Sequence, residues 1–173
     1  MIKNIFREIF PKYWINSFIL ILIFTVLIGL IGSAIPLDVE QVSEILEQAE
    51  ELIPVDIDAK AIFLNNYRIS LIMLTPILGF LFGVLVIFQT GMVFGAAGSS
   101  VGISGVLLYG LTALTPFFWL EFIAYAASMT ESIYFIRGLI EKKSNIEIKR
   151  VFAIIILNFV LLGAGALIEI LFI

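Results

Sequence analysis

The chain has neither cysteine nor histidine. Their absence removes thiolate nucleophiles, disulfides, imidazole bases and the usual zinc and haem ligands. Charge is scarce too: 14% of the 173 residues are Asp, Glu, Lys or Arg, and 61% are hydrophobic. Soluble domains carry about 25% charge and about 45–50% apolar residues. The apolar excess needs lipid rather than water as its solvent. No Asp falls within the long apolar runs, so a paired-aspartate intramembrane protease is excluded. Without His, a Ser–His dyad is excluded as well. The expectation is a non-enzyme with no catalytic, cofactor-binding or metal-binding residues and no nucleic-acid partner.

What the chain does have is apolar length. A helix crossing the roughly 30 Å hydrocarbon core needs about 20 apolar residues. Five runs meet that requirement, at 14–35, 62–88, 91–114, 117–136 and 151–173. They predict an all-α polytopic transmembrane bundle of about five spans, a single membrane domain over 1–173. The first run is longer than the apolar core of a signal peptide, roughly 7–15 residues, and reads as a retained anchor. The third is rich in Gly and Ser and is expected to be one interrupted crossing, since a re-entrant path would place the basic segment 137–150 outside. Pro76 is expected to kink the second run.

Cytoplasmic flanks carry the positive excess. With the N-terminus inside, Lys3, Arg7, Lys12, Arg137, Lys142, Lys143, Lys149 and Arg150 fall on the cytoplasmic side, and only Lys60 and Arg68 on the other. The sequence thus predicts a multi-pass cell-membrane protein with its N-terminus inside and its C-terminus outside. Residues 1–13 read as a cytoplasmic interfacial helix and 137–150 as a cytoplasmic basic loop. Tyr13 and Trp14 fit the inner aromatic belt and Trp119 the outer one.

The extracytoplasmic segment 36–61 is acidic. Within it Val39, Val42, Ile45, Leu46, Ala49 and Leu52 recur at helical spacing, while Glu40, Glu44, Glu47 and Glu51 occupy the other face. Asp38 is the expected N-cap, with Gln41 completing a capping box. This short acidic amphipathic helix reads either as a lid on the spans or as a docking face for a membrane or extracytoplasmic protein.

The remaining polar residues lie inside the spans. Glu121, Ser128 and Ser132 share one helical face, with Glu131 beside it, and Asn158 and Glu169 lie on a second stripe. Intramembrane charge is costly and usually finds a partner. Arg68 with Glu121, and Glu131 with Asn158, are the pairs expected from depth. Gly79 and Gly83, Gly91 and Gly95, and Gly98 and Gly102 each stand four apart, the spacing that brings helices close, within one copy or between copies of a homo-oligomer.

Three segments, IFLNNYRISLIMLTPILGFLFG, FQTGMVFGAAG and TPFFWLEFIAYAASM, give the chain a resemblance to the stage II sporulation protein M family. The shared positions are Asn65, Asn66, Arg68, Gly79, Gly83, Gly91, Gly95, Pro116, Glu121, Ala124 and Ala127. The family's His-Gly after the proline is replaced by Phe117-Phe118, and its Asn-Gly by Thr90-Gly91. The resemblance implies a multispanning scaffold that, in spore-formers, recruits cell-wall-remodelling enzymes. A membrane scaffold or assembly protein is therefore expected. The alternative is a permease subunit or an ion- or proton-conducting component that uses the intramembrane glutamates.

Overall fold

A computed structural model of the chain describes residues 7–52, 58–141 and 144–172. Among the described residues there are seven principal helices and no strand. They are α1 (Lys12–Ser33), α2 (Val39–Leu52), α3 (Ala59–Ile72), α4 (Leu78–Ser100), α5 (Gly105–Thr112), α6 (Pro116–Ile140) and α7 (Ser144–Glu169).

Local chemistry sets most of the boundaries. Asp38 Oδ1 accepts from the Gln41 N–H at 2.8 Å and Gln41 Oε1 accepts from the Asp38 N–H at 3.0 Å, which is the expected capping box. Asp58 caps α3 through the Ala61 N–H at 2.7 Å, and Ser104 caps α5 through the Leu107 N–H at 3.1 Å. Pro116 occupies the first position of α6, where its missing N–H leaves no hydrogen bond unmade.

Three helices, α1, α4 and α7, are long and apolar enough to cross a membrane. A fourth crossing exists if α5 and α6, bent by 90° about their break, count as one span. The expected five spans are thus corrected to three or four. The apolar run 62–88 divides at Pro76, and the residue after it, Ile77, takes φ 62. The break reverses the chain instead of kinking it. Asn66 meets Glu121 and Thr75 meets Ser132, so α3 runs parallel to α6. Phe80 meets Ser132 and Gly83 meets Met129, so α4 runs antiparallel to it. With 14 residues α3 is about 21 Å long, short of the hydrocarbon thickness.

The expected boundary at Gln89-Thr90 is absent, because the Thr90 hydroxyl donates to the Val86 carbonyl and stays within one continuous helix. The run 91–114 is therefore split between the end of α4 and α5. Gly102, at φ 76, makes the left-handed turn between them.

α1 lies parallel to α4, with Phe24 stacked on Phe80, Gly29 and Gly32 against Gly91, and Ser33 against Gly95. α7 returns antiparallel to α6. Asn158 meets Ser128, and Gly165 lies beside Glu121. Much apolar surface faces outward, including Leu20 at 67% exposure and Ile156 at 66%. Such a surface is compatible with a membrane protein, in which lipid covers it.

Candidate functional site

The polar residues gather at two ends of the bundle. The basic end holds the start of α1, the end of α6 and the start of α7. Arg150 is fully buried there. Its Nε donates to the Ile9 carbonyl at 2.5 Å and its Nη1 to Glu131 Oε2 at 3.3 Å, and Nη1 also pairs with Glu147, one helical turn away. Trp14 Nε1 donates to the same Glu131 oxygen at 2.9 Å, and the guanidinium stands 6.0 Å from the Trp14 ring centroid. Four backbone or side-chain groups thus meet one cation where water is excluded. Breaking such a group by removing one partner costs about 3–5 kcal/mol.

Several expectations are corrected at this end. Glu131 pairs with Arg150 and Trp14 and not with Asn158, whose Nδ2 donates to Ser128 Oγ at 2.7 Å. Arg150 is not a residue of a solvated loop: α6 continues to Ile140 and α7 begins at Ser144. Trp14 is 4% exposed and belongs to the core rather than to an aromatic belt. Lys142 and Lys143 lie outside the described residues, as do residues 1–6 of the expected interfacial helix.

The next residue along α6 after Glu131, Ser132, holds the α3–α4 reversal. Its hydroxyl donates to the Thr75 carbonyl at 2.7 Å and accepts from the Phe80 N–H at 3.1 Å, while its carbonyl accepts from the Ile77 N–H at 3.5 Å. The face shared by Glu121, Ser128 and Ser132 was expected from spacing, and each of the three meets a polar partner on a neighbouring helix.

At the acidic end Asn66 Nδ2 donates to Glu121 Oε1 at 2.5 Å, and the carboxyl of Glu169 lies beside that of Glu121. Arg68, expected as the partner of Glu121, is exposed. Asn66 and Arg68 differ by about 200° around the helix, so when one faces α6 the other faces away.

The glycines act within the monomer. A side chain on Gly91 would strike the Gly29 carbonyl, and one on Gly32 the Phe88 carbonyl. Gly83 receives Met129, Gly98 abuts Gly105 and Gly79 abuts the Met73 carbonyl, while Gly95 lies near Ser33. Gly102 is corrected from a packing residue to a turn residue, with nothing within 4 Å of an added side chain. Tyr109 fills the space below, its hydroxyl donating to the Val26 carbonyl at 3.0 Å and its ring set edge-on to Phe94 and Phe118.

α2 packs on α4. Along it Val42, Ile45, Leu46 and Ala49 are half-buried, whereas Glu40, Glu44 and Glu47 are exposed. The side chain of Glu51 lies outside the described residues. Among the described residues no group of three or more Asp or Glu is arranged to hold a metal ion. No family model, curated protein or solved structure matches the chain.

Proposed function

We propose that the chain is a non-catalytic membrane scaffold, of the kind implied by its resemblance to the stage II sporulation protein M family. Its α2 helix docks a partner protein that has a basic surface. The N-terminus and the basic end face the cytoplasm, and α2 and the C-terminus face outward. The observation that carries this reading is the two-sidedness of α2. Its half-buried apolar stripe is spent on α4 and its start is fixed by the capping box, which leaves an ordered row of carboxylates exposed. A preorganised charged face favours specificity and fast association over raw affinity.

The competing reading is an ion or proton path along the glutamates. Its carboxyl groups stand at opposite ends. Glu131 is tied to Arg150, and Glu121 to Asn66, ~15 Å away along α6. Ala124, Ala127 and Met129 are buried between them.

The test is charge reversal of Glu40, Glu44 and Glu47 to Lys, followed by mild crosslinking and co-purification. A discrete partner should be lost while the melting temperature in detergent stays unchanged. Retention of the same partner by the variant would count against docking by α2. Ion flux in proteoliposomes that disappears in Glu131→Gln would favour the path instead.

A further inference from the structure

At the basic end two cavities adjoin and share Tyr134 and Arg137. The first, about 290 Å³, lies between α1 and α6 and is otherwise lined by Ser17, Leu20, Ile21 and Ile133. The second, about 430 Å³, is otherwise lined by Tyr13, Gly138, Glu141, Ile146 and Glu147. The first is chiefly apolar and opens where Leu20 and Ile133 are exposed. The second is the more polar of the two and lies beside the first turn of α1, where an aromatic and basic belt marks the lipid–water boundary. An apolar trough running into a more polar one at that depth matches the division of a phospholipid into acyl chain and headgroup.

The charges narrow the headgroup. Arg137 is largely exposed, and its Nε meets Glu141 at 2.7 Å, so one of its five N–H donors is engaged in that contact. Arginine recognises phosphate through its planar fork. Two carboxylates, Glu141 and Glu147, line the same cavity, and Glu147 also holds Arg150. Each carboxylate already faces a guanidinium, Glu141 that of Arg137 and Glu147 that of Arg150, so among these described residues the charges balance and a purely anionic headgroup gains no net attraction. A trimethylated ammonium cannot donate a hydrogen bond to either carboxylate. A headgroup carrying a phosphate and a primary ammonium satisfies both signs, with the phosphate on Arg137 and the ammonium toward Glu141 and Glu147. The Tyr134 hydroxyl, 2.9 Å from Ser17 Oγ, stands where the two cavities meet.

We propose that these joined cavities bind one zwitterionic aminophospholipid, its headgroup on Arg137, Glu141 and Glu147 and its acyl chain along Leu20, Ile21 and Ile133. The site rests on the membrane reading of the bundle and is independent of docking by α2.

The test is native mass spectrometry of the full chain in detergent, titrated separately with dioleoyl phosphatidylethanolamine, phosphatidylcholine and phosphatidylglycerol. The wild type should retain one phosphatidylethanolamine in preference to the other two. Arg137→Ala should weaken that retention by up to about fivefold, the range of a partly exposed ion pair. Leu20→Trp, which fills the apolar trough, should also reduce it. Both side chains are exposed, so neither change should shift the melting temperature, and Lys149→Ala, outside the cavities, should bind as the wild type does. Equal retention of the three lipids, preference for phosphatidylglycerol, or undiminished binding by Arg137→Ala would overturn the assignment.

Discussion

At the basic end Arg150 gathers Glu131, Glu147 and the Ile9 carbonyl, with Trp14 joined through Glu131. At the acidic end Gly29 and Gly32 bring the backbone of α1 against Gly91 and the Phe88 carbonyl of α4. One end is closed by buried charge, with hydrogen bonds between segments far apart in sequence, the other chiefly by close glycine contacts, beside the neutral-donor hydrogen bonds Asn66–Glu121 and Tyr109–Val26. The difference matters because the two devices fail differently. A buried ion group without one member leaves the remaining charges unpaired, whereas a glycine contact given a side chain forces two backbones apart. It also matters for where function can reside. The acidic end is held by glycine contacts and by the Asn66–Glu121 and Tyr109–Val26 hydrogen bonds, and the exposed carboxylates of Glu40, Glu44 and Glu47 on α2 take no part in them.

The comparison predicts its own largest effect at Arg150. Arg150→Met should lower stability by about 3–5 kcal/mol, since Glu131 and Glu147 are then buried without their cation. Adding Glu131→Gln should recover part of that loss, because one uncompensated charge disappears with it. The check is a double-mutant cycle on melting temperature in detergent, and strict additivity of the two changes would remove the ion group from the account.

A smaller loss is expected at the acidic end. Gly91→Val should destabilise by about 1–3 kcal/mol through overpacking against Gly29 and Gly32. Unlike Arg150→Met, its effect should not depend on Glu131, which the same cycle measures. The smallest effect is a gain. Ile77 holds φ 62, a conformation that glycine adopts without steric cost, and its side chain is 58% exposed. Ile77→Gly should therefore stabilise by up to about 1 kcal/mol. A loss of stability would show that Ser132 and the surrounding contacts, not the backbone angle, dominate the α3–α4 reversal.

Which of these features was legible in the sequence follows from the range of the interaction. The capping box of Asp38 and Gln41 spans three residues, and the shared face of Glu121, Ser128 and Ser132 depends only on helical period; both are present. The close approach of Gly91 was visible as spacing, though its partners Gly29 and Gly32 were not. Arg150 was misread because a basic residue at the end of an apolar run looks the same whether it reaches water or turns inward. Glu147 is three positions away, but the partners that draw Arg150 inward lie 19 and 141 positions away. The reversal at Pro76 was hidden inside an uninterrupted apolar run, since hydropathy reports that a segment prefers lipid and not which way it travels. Gln89-Thr90 misled in the opposite sense, because a threonine that bonds its own preceding turn is polar only on paper.

The central claim is that these two ends face opposite sides of a membrane, the acidic helix outward and the basic end toward the cytoplasm. The chain contains no cysteine, so single cysteines at Ser43 and Asn145, both exposed, can report on each end separately. In intact cells a membrane-impermeant maleimide should label Ser43→Cys at once, and Asn145→Cys only after permeabilisation. Labelling of both positions from outside, or of Asn145→Cys alone, would contradict it.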